Sequence, residues 1–167
     1  YRRFESTPDL FHTLNESHAF REKIRRLVLN DGIRIVDSPL WKTSGLVTLR
    51  AHDLPVVVRV QTANKQVAEI QATLSEDARL VGDLEQGFLE QADHLVANSA
   101  ATVSALERVY GIGRDSRPLS VIPHGIVPVA DDRVRPYPAD RPPARPTVLF
   151  VGRLERRKDR KSTRLNS

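Results

Sequence analysis

Residues 55–60 read PVVVRV, and this stretch predicts the kind of sheet on which the fold is built. β-branched residues favour strands, and a nearly continuous apolar run is typical of a parallel sheet that is covered on both faces. The run stops at Gln61, where residues 61–65 predict a loop. We therefore treat residues 55–60 as a central strand and read the chain outward from it.

The segments on both sides of this strand alternate between helical and strand patterns. The predicted helices have apolar residues spaced three or four apart and are residues 17–30, 46–51, 75–92 and 100–110. The other strands are predicted at residues 33–37, 95–97 and 119–122, and residues 1–16 are predicted to be irregular. Such alternation predicts parallel strands with right-handed crossovers, and thus an α/β, Rossmann-like domain with a doubly wound parallel sheet.

Residues 128–146 have a different composition and predict a domain boundary. They contain six of the chain's eleven prolines, which is typical of a stiff, extended connector. Residues 147–151 then begin a new β-branched strand pattern, and one strand cannot be stable alone. We therefore expect a partial N-terminal domain at residues 1–127, a linker at residues 128–146, and the first strand of a second Rossmann-like domain at residues 147–159.

The charge distribution argues against a nucleic-acid-binding surface. The net charge is +5, yet residues 156–167 alone hold six basic side chains against one acidic side chain, so the remainder is balanced. Within this segment, residues 160–167 (RKSTRLNS) have no apolar period and resemble a translated cloning adapter. A disordered basic tail is the alternative interpretation.

The residue types that are absent narrow the class of protein further. The lack of cysteine excludes disulfides and thiolate metal sites, and the five histidines have no metal-site spacing. No apolar run is long enough to span a bilayer or to form a signal peptide, so we expect a cytoplasmic protein. The chain has no methionine, and we expect its natural N-terminus to lie further upstream.

Residues 148–158 read VLFVGRLERRK and contain the most specific chemical signal. Gly152 follows an apolar strand, where the lack of a Cβ lets the backbone approach a ligand closely. Arg153 can bind phosphate oxygens through its planar fork, and Lys158 supplies a mobile point charge. The spacing predicts a diphosphate clamp, with solvated basic residues after a strand as the alternative.

Ligands of open α/β sheets bind beyond the carboxyl ends of the strands, which marks further candidates for substrate binding. These candidates are Trp41, Gln61, Ser99, His124, Gly125 and Gly152. A structural role is the alternative for four of them: packing for Trp41, helix capping for Ser99, and turn geometry for His124 and Gly125.

Three ordered stretches resemble the glycosyltransferases of the GT-B fold, in particular glycosyltransferase family 4. They read EQADHLVANSAATVSALERVYGI at residues 90–112, SVIPHGIVP at residues 120–128 and TVLFVGRLERRKD at residues 147–159. The family pattern is an acidic residue, an Ala-Asp pair, a hydrophobic strand and a serine at a helix cap, then an IPNG-type turn, and finally a GR pair followed by KG. The resemblance covers residues 33–159.

The resemblance implies a retaining glycosyltransferase of the hexosyltransferase type with a nucleotide-diphosphate sugar as donor. Arg153 and Lys158 are then the catalytic residues, because they stabilise the diphosphate leaving group without a metal or a cofactor. The implied acceptor is a glycan, a lipid or a small molecule, with no nucleic-acid partner. A peripheral contact with the inner membrane face is compatible with the resemblance.

The chain departs from the family pattern in ways that bear on activity. Gln61 stands where many members have histidine near the donor sugar, and Asp159 stands where a glycine follows the clamp lysine. The later E-x7-E motif and the early glycine-rich loop are missing, so we expect an internal fragment that is inactive alone. The alternatives are another GT-B enzyme, of the phosphorylase or epimerase type, and a non-catalytic binding module.

Overall fold

The computed structural model of the protein describes residues 6–71, 75–125 and 127. In chain order its elements are α1 (Pro8–Asp31), β1 (Val36–Pro39), a 3₁₀ helix (Trp41–Thr43), α2 (Leu46–Arg50), β2 (Val56–Val60), α3 (Asn64–Gln71), α4 (Glu76–Gln91), β3 (His94–Ala97), α5 (Ala100–Tyr110) and β4 (Leu119–Val121). The chain divides into two compact units, residues 1–123 and 124–167, and all these elements belong to the first. The predicted linker at 128–146, the strand and clamp at 147–159 and the tail at 160–167 lie outside the described residues.

The four strands form one parallel sheet in the order β1-β2-β3-β4, which confirms the predicted α/β class. The register pairs Pro39 with Arg59 and Val60 with Ala97, so the carboxyl ends of the first three strands lie at one edge. At the opposite edge, the carboxylate of Asp93 accepts a hydrogen bond of 2.7 Å from the N–H of Val56. This contact fixes the start of β2 beside the start of β3.

The hydrophobic core lies between one face of the sheet and the helices. Val58 of β2, Leu95 of β3 and Phe88 of α4 are completely buried in one cluster, together with Leu106 of α5. Such burial removes apolar surface from water and is the main favourable term in folding. On the opposite face Asp37 and Arg59 form a partly exposed ion pair. The described helices thus supply one of the two layers that a doubly wound sheet carries.

Helix α1 begins nine residues before the predicted start at residue 17, so the irregular assignment of residues 1–16 was wrong from Pro8 onward. Proline suits the first position of a helix because its missing N–H has no intrahelical partner there. The next two N–H groups, of Asp9 and Leu10, donate to the carboxylate of Asp77 in α4, at 2.8 and 3.0 Å. This capping partner is 68 residues away in sequence, and a local pattern cannot reveal it.

Helix α3 occupies residues that were partly predicted as the loop 61–65. Its first N–H, that of Asn64, donates to the carboxylate of Glu85 at 2.7 Å. As with α1, a side chain from α4 satisfies a donor that the helix itself leaves free. The predicted loop is therefore limited to residues 61–63.

The other predicted elements agree with the structure apart from small shifts at their ends. Serine caps both α4 and α5: the N–H of Ala78 donates to Ser75 at 3.1 Å, and the N–H of Thr102 donates to Ser99 at 3.2 Å. Strand β1 lies at Val36–Pro39 and not at 33–37, because pairing with β2 begins where the N–H of Val36 donates to the carbonyl of Pro55.

Candidate functional site

The carboxyl edge of the sheet brings together three of the predicted binding positions. Trp41, Gln61 and Ser99 follow β1, β2 and β3, and the register places the ends of these strands side by side. The backbone hydrogen bonds between β1 and β2 continue to the carboxyl edge of the sheet, since the N–H of Leu40 donates to the carbonyl of Arg59 at 3.0 Å. These three positions therefore share the edge at which α/β sheets bind ligands.

The three side chains differ in their exposure and in the hydrogen bonds that they already make. Trp41 begins the 3₁₀ helix and keeps 51% of its surface exposed, and Gln61 is also exposed. Ser99 caps α5, and its hydroxyl additionally lies 3.0 Å from the Oγ1 of Thr102. Capping, the alternative role, is thus present at Ser99, while ligand contacts of all three residues stay predictions.

The remaining predicted site residues lie beyond the first compact unit. His124 and Gly125 belong to the second unit, and both are exposed. A Cβ added at Gly125 meets no atom of the described residues within 4 Å, so no close approach among these residues explains the glycine. The three clamp residues, Gly152, Arg153 and Lys158, lie outside the described residues.

A cavity of about 340 Å³, which no sequence pattern predicted, opens beside Trp41. Its walls come from α1, the 3₁₀ helix, α3 and α4. The lining residues are Asp9, His12, Thr13, Trp41, Lys42, Asn64, Val67, Ser75, Ala78 and Val81. This volume falls in the range of small-molecule sites, and the mixed lining of aromatic, apolar and polar groups is typical of them.

A strained turn carries Lys42 at the cavity wall, where it contacts two side chains of α1. The Nζ of Lys42 lies 3.0 Å from the Nε2 of His12 and 3.1 Å from the carboxylate of Glu16, both on α1. Lys42 and Thr43 have φ values of 56° and 44°, which is unusual for residues with a Cβ. The hydroxyl of Thr43 is buried without a hydrogen-bond partner in the described structure. Strain of this kind concentrates at functional sites, which favours a role for this turn.

Beneath the cavity wall lies a buried carboxyl group, Glu85. It accepts hydrogen bonds from the N–H of Asn64 at 2.7 Å, from the Nδ2 of Asn64 at 3.2 Å, and from the hydroxyl of Tyr110. Burial raises the pKa of Glu85 from 4.5 to about 7, although the hydrogen bonds from Tyr110 and from the backbone of Asn64 and the charge of Lys65 act in the opposite direction. Burial also raises the pKa of Tyr110, with Glu85 adding to the effect, so Tyr110 stays a neutral donor.

Lys65 completes this cluster from the side of α3. Its Nζ lies 3.0 Å from both Asp83 and Gln86, and 5.1 Å from the centre of the Tyr110 ring. The lysine stem crosses α4 at Gly82, where an added Cβ would lie only 2.8 Å from its Cγ. Glycine is unfavourable inside a helix, but at Gly82 it leaves the space through which the Lys65 stem crosses α4.

The Glu85 cluster was missed from the sequence, although one signal was present. Glu85 falls four residues after Val81 and three before Phe88, on the apolar stripe of the helix predicted at 75–92. A carboxyl group on such a stripe is buried on folding and must find hydrogen-bond donors. That reasoning predicts a polar cluster, but it cannot name the donors.

Two negative findings apply to the described part of the chain. Residues 6–71, 75–125 and 127 contain no group of three or more His, Cys, Asp or Glu side chains that could hold a metal ion. Among the helices of these residues, none is long and apolar enough to cross a membrane.

Comparison with known proteins identifies the family. The model of Glycosyltransferase Family 4 matches residues 1–129, which include every described helix and strand and the whole cavity. The chain belongs to glycosyltransferase family 4. The predicted membership is thus confirmed, and the four-stranded parallel sheet is consistent with a Rossmann-like domain of GT-B glycosyltransferases.

A curated glycosyltransferase extends the comparison. The chain is 33% identical over 136 residues to a D-inositol 3-phosphate glycosyltransferase from Nocardia farcinica (strain IFM 10152). The match covers 72% of this chain and 28% of the relative's length. No solved structure matches the chain.

Proposed function

We propose that the protein transfers a sugar from a nucleotide-diphosphate sugar to an acceptor, with retention of anomeric configuration. The observation that carries the proposal is the family match, which spans the residues of both the sheet and the cavity. The order of motifs in residues 90–112, 120–128 and 147–159 supports the same activity.

Arg153 and Lys158 are the catalytic residues of this proposal. Breaking the bond between sugar and diphosphate builds negative charge on the leaving group, and two fixed cations stabilise that charge in the transition state. Gly152 lets the backbone approach the phosphates. Because two cations can neutralise the diphosphate, the proposed reaction needs no metal and no cofactor.

The acceptor is proposed to bind in the cavity at the carboxyl edge of the first unit. The relative's name refers to D-inositol 3-phosphate, so a phosphorylated cyclic polyol is our first candidate class of acceptor. The exposed ring of Trp41 offers an apolar platform for such a ring, and Asn64 and Lys42 offer polar contacts. A cytoplasmic reaction, with a peripheral membrane contact for lipid acceptors, belongs to the same proposal.

The test is a transfer assay with the complete gene product. A panel of nucleotide sugars is incubated with D-inositol 3-phosphate, and the anomeric configuration of the product is read by NMR. Arg153→Ala is expected to lower turnover at least about tenfold, since hydrogen bonds to charged groups contribute about 1.5–3 kcal/mol. Arg108→Ala, an exposed arginine of α5, serves as the control. If no nucleotide sugar is bound or turned over, the proposal fails.

A further inference from the structure

Asn64 is held at the cavity wall by two separate hydrogen bonds to one buried side chain. Its backbone N–H and its side-chain Nδ2 both donate to Glu85, at 2.7 and 3.2 Å. Glu85 is completely buried on α4, whereas Asn64 begins α3 and lines the cavity. The side chain of Asn64 is thereby fixed in position before any ligand arrives.

We propose that Asn64 binds the acceptor through its side-chain oxygen, and that Glu85 is the positioning residue that fixes this orientation. The ligand class is a molecule with a hydroxyl group that donates to Oδ1 of Asn64. This inference rests on the proposed function, because it takes the cavity as the acceptor site.

The orientation follows from the hydrogen-bonding capacity of the two groups. An ionised carboxylate only accepts hydrogen bonds, so it selects the Nδ2 of Asn64 and turns the Oδ1 away. Within the described part of the chain, no donor contacts this Oδ1. Asn64 lines the cavity. On this proposal its Oδ1 meets the ligand, and an oxygen acceptor suits a hydroxyl and disfavours a second acceptor such as a phosphate oxygen.

The surroundings of Glu85 determine the pH range in which it is ionised and fixes the orientation of the Asn64 amide. The polar and charged groups that act on Glu85 are Asn64 and Lys65 on α3 and Tyr110 on α5. Asp83 of α4 pairs with Lys65 and acts on Tyr110. The pKa of Glu85 is raised to about 7, so the group is ionised above neutrality and protonated below it. A protonated Glu85 can donate as well as accept, and the preference for Nδ2 is then lost. Acceptor affinity is therefore expected to rise as the pH increases through about 7.

A double-mutant cycle separates positioning from a merely structural role. Asn64→Ala and Glu85→Gln are each expected to raise the acceptor KM about 2- to 10-fold, the value of one hydrogen bond, with the donor KM unchanged. In Glu85→Gln the carboxamide NH₂ meets the Nδ2 of Asn64, and the Asn64 amide must rotate to relieve the conflict. Once Asn64 is alanine, Glu85→Gln should have no further effect on this KM. Additive effects would overturn the proposal.

The control for the carboxylate-to-amide change is Asp93→Asn. Asp93 also accepts a hydrogen bond from a backbone N–H, but at the opposite edge of the sheet. This variant is expected to leave the acceptor KM and its pH dependence unchanged. Wild type should lose acceptor affinity below pH 7, whereas Glu85→Gln should show a flat profile. A wild-type profile that is flat between pH 6 and pH 8 contradicts the assignment.

A measurement without catalysis keeps the inference distinct from the proposed function. In the full chain, the side-chain amide NMR signals of Asn64, assigned by their loss in Asn64→Ala, should shift with a midpoint near pH 7 and move on addition of D-inositol 3-phosphate. Absence of sugar transfer with these shifts present refutes the proposed activity alone. Signals that respond to neither pH nor the polyol phosphate refute the positioning role.

Discussion

Replacing each of two glycines of α4 by alanine should change stability in opposite directions. Alanine is favoured over glycine inside a helix by about 1 kcal/mol, and this gain applies at both Gly82 and Gly87. At Gly87 the nearest atom to an added Cβ is the Nε2 of Gln91 at 3.8 Å, an ordinary contact. Gly87→Ala should therefore raise the free energy of unfolding by up to about 1 kcal/mol.

At Gly82 the added methyl group collides with the stem of Lys65. Its Cβ would lie 2.8 Å from Cγ, closer than Cβ atoms approach other atoms in folded proteins, and 3.0 Å from Cε, which is an unusually tight contact. The stem has to shift to relieve this contact, and we expect the shift to disturb the contacts of Nζ with Asp83 and the Tyr110 ring. Overpacking of this kind costs about 1–3 kcal/mol, which exceeds the helical gain. The expected net loss for Gly82→Ala is about 1 kcal/mol.

Urea unfolding followed by far-UV circular dichroism measures both variants against wild type. The expected difference between them is about 2 kcal/mol, well above the error of such measurements when the m-values agree. Equal stabilisation by both substitutions would show that Lys65 does not need the space at Gly82.

Two further predictions concern the buried carboxyl groups of α4. The pKa of Glu85 is higher in the folded chain than its ordinary value of 4.5, so its contribution to stability is fully present below pH 4.5 and is lost as the pH rises through about 7. The loss is roughly 3 kcal/mol, and urea unfolding at pH 4.5 and pH 8 should detect it in wild type but not in Glu85→Gln; parallel pH profiles would contradict this. Asp77→Ala should cost about 2 kcal/mol and remove hydrogen-exchange protection from the first turn of α1, because two N–H groups lose their acceptor. Unchanged protection would argue against Asp77 as the cap.

Those parts of the fold that depend on local patterns were predictable from the sequence. The caps at Ser75 and Ser99 and the left-handed glycines at the ends of α1 and α5 act within one turn of the residues that they stabilise. The apolar run at residues 55–60 likewise contains the information for a buried parallel strand. Each of these signals lies next to the structure it specifies.

The parts that were missed depend on side chains from distant segments. The start of α1 depends on Asp77, and the start of α3 depends on Glu85, so neither helix terminus has its capping partner nearby in sequence. The cavity is built from these same helices, and it could not be predicted without them. The rule about strand ends still indicated Trp41, which lines the cavity, because that rule needs only the positions of the strands. A ligand contact of Trp41 stays a prediction.

The two buried carboxylates also determine what the cavity can bind. Helix N-termini commonly bind anions through free N–H groups, and α1, α3 and α4 all begin at this cavity. Here, however, Asp77 occupies the first donors of α1, Glu85 occupies that of α3, and Ser75 caps α4. A phosphate on the proposed acceptor would therefore have to compete with Glu16 for Lys42, and the helix termini would contribute little to its binding. Among the described residues, no such competitor contacts Oδ1 of Asn64. If the cavity is the acceptor site, as we propose, this wall should discriminate between acceptors by their hydroxyl pattern more strongly than by their charge.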